Sequence, residues 1–261
     1  MSRIDSVFGR LGAQGEKALV GFIEAGDPDY KKSLDIAVGM CKAGVDVLEL
    51  GVPFSDPTAD GPVIQEGSQR AIKSGMSLLK AIRLAADIRN EVGNDVAIVL
   101  FGYYNPIFKY GAKEFYNYCV SAGIDGVLVV DLPPEESDEL TAQFGDKLDF
   151  IRLIAPTTSD ARLKSICDSA SGFIYMISRT GVTGSGKKID TDYIKEKRKE
   201  ISRLCELPVC VGFGISDAQD AALIAPFCDG IVIGSAFVKR IGDGASPKDM
   251  AEFVRKIKKE L

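Results

Sequence analysis

Glu49 and Asp60 bracket the stretch of this chain whose residue types most directly suggest chemistry. Val45-Asp46-Val47-Leu48 is a short apolar run after a glycine and reads as a buried strand. The prolines and glycines of Gly51-Val52-Pro53-Phe54-Ser55-Asp56-Pro57 forbid it to continue. One carboxyl therefore sits at a strand's C-terminal end, and a second, Asp60, at the far end of a stiff loop. Parallel α/β folds place chemistry at that end, because the loops there converge on one cavity. Taken alone, Glu49 reads as a satisfied strand-end acid and Asp60 as an ordinary turn acid. The chain has no histidine, which shifts the balance. Without imidazole there is no Ser-His or Cys-His nucleophile and no histidine metal ligand. Proton transfer falls to Glu, Asp, Tyr, Lys or Cys, and a carboxyl can do it once burial raises its pKa.

Two glycine-rich strand ends suggest an anion site. Val211-Gly212-Phe213-Gly214-Ile215-Ser216-Asp217 and Ile233-Gly234-Ser235-Ala236 each expose backbone N–H groups just before a helix, where glycine permits close approach and the helix dipole favours negative charge. Either alone reads as a glycine turn with a serine cap; two on adjacent strands favour phosphate. Ser178-Arg179-Thr180-Gly181-Val182-Thr183-Gly184-Ser185-Gly186-Lys187-Lys188 forms a long glycine-rich loop of the kind that closes over ligands. Its GxxxxGK spacing lacks the Ser or Thr a nucleotide P-loop needs after the lysine, and Gly212-Phe213-Gly214 does not complete a dinucleotide fingerprint. Tyr175, inside a strand, is as readily core as catalytic. Phe22, Phe101, Leu128, Ile154 and Phe213 lie near strand ends, where some could line a pocket for a flat ring and most would be core.

These residues need a scaffold, and the hydrophobic pattern supplies one. Apolar strands at 18–23, 45–48, 96–101, 126–130, 150–154, 173–177, 209–212 and 230–233 alternate with helices at 30–43, 63–73, 78–92, 112–122, 135–144, 161–169, 193–204, 217–225 and 247–259. A helix over 2–11 precedes them, with Ser2 and Asp5 spaced as a capping box. The strands are solid apolar runs, the signature of a parallel sheet covered outside. Ala43-Gly44-Val45-Asp46-Val47-Leu48 recurs as Ala122-Gly123-Ile124-Asp125-Gly126-Val127-Leu128 and in part as Asp229-Gly230-Ile231-Val232. No linker divides the chain. The pattern predicts one domain over residues 1–261, an α/β single (β/α)8 TIM barrel with an extra N-terminal helix and extra short helices in the βα loops; an open doubly wound sheet is the alternative.

Composition narrows the partners. With 261 residues, 46% hydrophobic, 26% charged and a formal net charge of -5, the chain offers no basic face for nucleic acid or an anionic membrane. No run is long enough to span a bilayer and the start resembles no signal peptide, so the cytoplasm is expected. The six cysteines (41, 119, 167, 205, 210, 228) form no CxxC pair and read as small buried hydrophobes in a reducing compartment.

As a set, the motifs resemble the tryptophan synthase alpha-subunit family. The likeness rests on Ala25-Gly26-Asp27-Pro28, on Leu48 through Pro62, on Tyr103-Tyr104-Asn105-Pro106, on Asp131-Leu132-Pro133, on Ser178-Arg179-Thr180-Gly181-Val182-Thr183-Gly184, and on the two glycine-rich ends of strands seven and eight. The blocks run in order over nearly the whole chain. The resemblance implies a barrel that cleaves indole-3-glycerol phosphate to indole and glyceraldehyde 3-phosphate by a retro-aldol step. It implies that Glu49 moves both protons, that Asp60 accepts the indole N–H, and that Tyr175 holds the glycerol hydroxyl side. Phosphate would lie on the N–H groups of Gly184, Gly214, Gly234 and Ser235, with Thr183 closing the lid towards Asp60. Phe22, Phe101, Leu128, Gly212 and Phe213 complete the implied substrate set. No cofactor is implied in this chain; pyridoxal phosphate is expected on a beta subunit, in an alpha2beta2 assembly, facing Pro53, Asp56, Pro57 and Asn105. Glu24 departs from the family's usual small or neutral residue, and is expected to raise the Glu49 pKa as a like charge or to turn into a salt bridge. Gly186–Asp190 is more basic than the family suggests. Two other readings stay open: another phosphate-handling barrel, for which Lys17 precedes rather than ends its strand and so offers no Schiff base, and a non-catalytic phosphate-binding activator of a second enzyme.

Overall fold

Strands that are apolar on both faces must be covered on both, and a closed ring of them wrapped in helices does so without leaving an edge. The computed structural model describes residues 2–145, 147–178, 189–212 and 214–261. Eight parallel strands close in chain order: β1 (Ala18–Glu24), β2 (Val47–Gly51), β3 (Ala97–Gly102), β4 (Gly126–Val129), β5 (Asp149–Ile154), β6 (Ile174–Ile177), β7 (Val209–Gly212) and β8 (Gly230–Ile233). β8 pairs back onto β1, with Val20 opposite Val232, so the open doubly wound sheet does not form.

The helices are α1 (Arg3–Gln14), α2 (Tyr30–Ala43), α3 (Pro62–Lys73), α4 (Leu78–Val92), α5 (Tyr104–Tyr110) and α6 (Ala112–Ser121). They continue as α7 (Asp138–Thr141), α8 (Asp160–Asp168), α9 (Thr191–Ser202), α10 (Ala218–Ile224), α11 (Ser235–Gly242) and α12 (Pro247–Lys258). Two departures from the sequence pattern have local causes. The helix expected over 135–144 is a 3-10 turn, Pro134–Glu136, followed by the short α7. The buried Ser137 hydroxyl donates to the Pro134 carbonyl, which closes the turn against a continuing helix. Strand β2 starts at Val47 rather than Val45, because the Val45 N–H is spent on the Met40 carbonyl at the end of α2.

The sequence echo has a structural meaning. Asp46, Asp125 and Asp229 each stand just before a strand, and their carboxylates accept an N–H from the first or second residue of the preceding one: Leu19 to Asp46 at 2.9 Å, Ile98 to Asp125 at 2.7 Å, and Val209 to Asp229 at 2.8 Å. Each also pairs with a cation, respectively Lys258 at 2.8 Å, Arg89 at 2.6 Å and Arg198 at 2.7 Å. The repeated aspartate thus ties strand starts together at the N-terminal rim.

Helix α1 fixes which end of the barrel is open. Its Ser2–Asp5 capping box forms as the spacing predicts. Ile4, Val7, Phe8 and Leu11 form one buried cluster with the interior residues Val20, Val47, Val99, Leu128, Ile151, Phe173 and Cys210, and the Phe8 and Phe173 rings lie 5.8 Å apart. The N-terminal end is plugged, and the C-terminal mouth is left for a ligand.

Candidate active site

Glu49 occupies the middle of β2, opposite Phe22 on one side and Val99 on the other. Inward and outward positions alternate along a strand, and between the outward Leu48 and Leu50 of the shell Glu49 points into the barrel. Its side chain is 1% exposed, and neither carboxyl oxygen has a hydrogen-bond partner among the described residues. Burial pushes its pKa up to about 8, because an ion in a dry interior loses its hydration. Near neutral pH it is a neutral acid with a proton to give.

Asp60 is held by aromatic and polar contacts. Its Oδ2 accepts from the Tyr103 hydroxyl at 2.8 Å, and that hydroxyl in turn accepts from the Ala59 N–H at 3.0 Å. Tyr103 stacks on Phe54, with centroids 5.1 Å apart. The Ser68 hydroxyl of α3 donates to the Phe54 carbonyl at 3.1 Å and accepts its N–H at 2.9 Å, so the loop 53–60 is clamped between α3 and the end of β3. Burial raises the Asp60 pKa and the Tyr103 hydrogen bond lowers it. Tyr103 was not among the expected site residues; its place directly after the strand-ending Gly102 is the signal that could have found it.

Tyr175 lies on β6 between Leu153 and Cys210. Its hydroxyl is pushed well above the usual range by burial and then by the charge of Glu49, with Asp60 a smaller contributor; the three groups share one interior. Gly212 leaves the space for it: a methyl there would meet the Tyr175 hydroxyl at 2.4 Å. A cavity of about 580 Å³ opens at the mouth, lined by Asp60, Phe101, Leu153, Tyr175 and Ile177 among others. Glu49 is not on that wall, and a ligand reaching it must settle deeper than the open space.

The remaining expected positions divide. Phe22 and Phe101 meet edge to face with centroids 5.1 Å apart, and Leu128 is fully buried beside Phe101 in the register. Ile154 faces the helical shell instead. Gly234 and Ser235 stand at the start of α11, where the Ser235 and Ala236 N–H groups precede the first helical acceptor, and Gly214, two residues past β7, adopts a φ of +88°. Thr183, Gly184 and Phe213 lie outside the described residues, as does Gly186–Lys188, while Asp190 caps α9 by accepting the Tyr193 N–H at 3.0 Å. Asp56 and Asn105 are exposed, Pro57 is half-buried and Pro53 is buried.

Both expectations for Glu24 are corrected. It makes no salt bridge among the described residues, because Arg70 donates twice to Asp27, at 2.7 and 2.8 Å. The raised pKa of Glu49 has burial as its cause, not a like charge on Glu24. Glu24 is itself pushed well above the carboxylate range by burial, then by Asp60 and Asp27. Among the described residues no group of three His, Cys, Asp or Glu side chains is arranged to hold a metal ion.

Residues 8–260 match the family model described as Tryptophan synthase alpha chain. The chain is 52% identical to the tryptophan synthase alpha chain of Desulfatibacillum aliphaticivorans, over 100% of this chain and 98% of that one. It is 54% identical to the one from Desulfosudis oleivorans, over 96% and 94%. Among solved structures, a chain from Aquifex aeolicus superposes with a TM-score of 0.92 at 41% identity, covering 100% of this chain and 99% of that one. Tryptophan synthase subunit alpha from Legionella pneumophila superposes with a TM-score of 0.90 at 33% identity, covering 100% and 98%.

Proposed function

The chain belongs to the tryptophan synthase alpha chain family, and from that premise we propose that Glu49 is the proton shuttle that cleaves indole-3-glycerol phosphate into indole and glyceraldehyde 3-phosphate. Membership makes it a lyase-type enzyme chain of L-tryptophan biosynthesis. The bond between indole carbon 3 and the glycerol carbon breaks when carbon 3 gains a proton and the hydroxyl on the departing carbon loses one. A single neutral carboxyl suffices: Glu49 gives its proton to the ring, then takes the hydroxyl proton and is restored. That cycle needs an acid protonated at neutral pH with no competing partner, which fits the buried Glu49, whose oxygens have no hydrogen-bond partner among the described residues. This observation carries the reading.

Asp60 would accept the indole N–H and stabilise the positive charge that develops on the protonated ring. Tyr175 would hold the hydroxyl side of the glycerol chain, with Phe22, Phe101 and Leu128 against the ring. Phosphate would rest on the amides of Gly214, Gly234 and Ser235, with Gly184 and Thr183 closing over it and Gly212 and Phe213 shaping the same end. The indole would pass to a pyridoxal-phosphate-dependent beta subunit in an alpha2beta2 assembly, across the face that carries Asp56, Pro57 and Asn105. Six free cysteines fit a cytoplasmic, reducing setting.

The test is indole release by the purified chain, with and without a pyridoxal-dependent beta partner. Glu49→Gln should abolish release while the substrate still binds, and full turnover by that variant would reject the role. Activation of a partner without any indole from the wild-type chain would favour the non-catalytic reading instead.

A further inference from the structure

Arg70 ties together three elements that the scheme above leaves separate. Asp27, in the turn after β1, is fully buried, and Arg70 of α3 donates to it twice, from Nε at 2.7 Å and from Nη2 at 2.8 Å. That turn is itself anchored: the Ser74 hydroxyl of α3 donates to the Gly26 carbonyl at 3.1 Å, and the Gly26 N–H donates to the Ser33 hydroxyl of α2 at 3.0 Å. From this fixed point Arg70 reaches α11. Its Nη2 also donates to the Val238 carbonyl at 3.4 Å, and its guanidinium covers Gly242, where a methyl would meet Nη2 at 3.0 Å. Val238 and Gly242 stand one turn apart on the same face of α11. Val238 also seats that face on α3, since a methyl on Gly67 would lie 2.6 Å from its Cγ1. The Phe237 and Val238 N–H groups close on the Gly234 carbonyl at 2.9 and 3.0 Å, so the glycine-rich start of α11 hangs on the residue that Arg70 holds.

We propose that Arg70 is a positioning residue for the phosphate: anchored on Asp27, it sets where α11 sits against α3, and with it the Gly234 and Ser235 amides. The proposal deepens the reading of the site given above and rests on it for the place of the phosphate. Helix α11 has eight residues, and a displacement at Val238 carries through its hydrogen bonds to the first turn. A hydrogen bond to an anion weakens steeply once the amide turns away. The wall proposed for the indole ring, Phe22, Phe101 and Leu128, sits on β1, β3 and β4, and among the described residues Arg70 makes no hydrogen bond to those strands. Methionine at position 70 would remove every one of these bonds. Lysine would keep the charge beside Asp27 but has no fork to hold Asp27 and the Val238 carbonyl together.

Calorimetric titration of the purified chain with glycerol 3-phosphate and, separately, with indole tests the role. Arg70→Met should bind glycerol 3-phosphate about tenfold more weakly, the worth of one hydrogen bond to a charged group, with indole affinity unchanged, and Arg70→Lys should fall between it and the wild type. In steady state Arg70→Met should raise KM for indole-3-glycerol phosphate with kcat little changed, as lost uniform binding does. Unchanged glycerol 3-phosphate affinity in Arg70→Met overturns the proposal, and so does an equal loss for both ligands, which a general loosening of the fold would give. Should the methionine variant not fold, Arg70→Lys decides by the same two outcomes. A wild-type chain that binds no glycerol 3-phosphate removes the phosphate reading and the proposal with it, whereas wild-type binding with indifferent variants fails Arg70 alone.

Discussion

At the scale of single residues, the site is set by the cost of charge in a dry interior. Glu49 has a pKa raised to about 8, above its ordinary carboxyl value, so its contribution to stability is fully present in acid and is lost as pH rises towards about 8. Each pH unit across that window costs about 1.4 kcal/mol. Glu49→Gln, which cannot ionise, should therefore gain stability over the wild type between pH 5 and pH 8, read from denaturant midpoints; parallel curves for the two proteins would contradict the burial argument. If Glu49 is the proton shuttle proposed above, kcat/KM should fall above about pH 8 as the acid is lost. Tyr103→Phe removes the hydroxyl that donates to Asp60 and accepts from Ala59. It should cost about 1–3 kcal/mol of transition-state stabilisation, seen as a fall in kcat/KM, and unchanged kinetics would detach Tyr103 from the site. Glu49 and Asp60 were legible because prolines and glycines fix where they stand. The Tyr103 bond to Asp60 and the burial of Glu24 were not, since both depend on which side chains of other elements come near.

At the scale of elements, α1 decides which end of the barrel works. Leu11 is 1% exposed and packs in the interior cluster with Val7, Phe8 and the strand residues above them. Leu11→Ala should cost about 2–5 kcal/mol, measured by chemical denaturation, and an effect below that range would mean that the plug is dispensable. Periodicity and capping residues placed α2, α4, β7 and β8 with the boundaries observed, because those signals are local. They missed the break at Ser137 and the separate α5 between β3 and α6, where a side-chain bond or a short turn overrides the pattern. The repeated aspartates were visible as an echo, yet their bonds to a neighbouring strand and to Lys258, Arg89 and Arg198 cross long stretches of chain.

At the scale of the whole molecule, the C-terminal mouth carries an exposed rim. Phe108, at the end of α5, is 60% exposed near Asn105, and Asp56 is exposed on the Asp60 loop. If the beta subunit docks there, Phe108→Asp should weaken its binding at least tenfold by titration, because a buried charge replaces an aromatic anchor, while the thermal midpoint of the isolated chain stays where it is. Unaltered binding would move the interface elsewhere. The sequence by itself determined the number and order of the strands, the plugging helix, and an acid in strand two with a second on the loop that follows, because these follow from local periodicity, caps and breakers; it expected Glu49 just past a strand that in fact runs on to Gly51. Only the tertiary structure decided that the sheet closes, that Glu49 is buried with no hydrogen-bond partner among the described residues, and that Arg70 pairs with Asp27. Burial and the pairing of charges are properties of a packed interior, and no stretch of chain carries them alone.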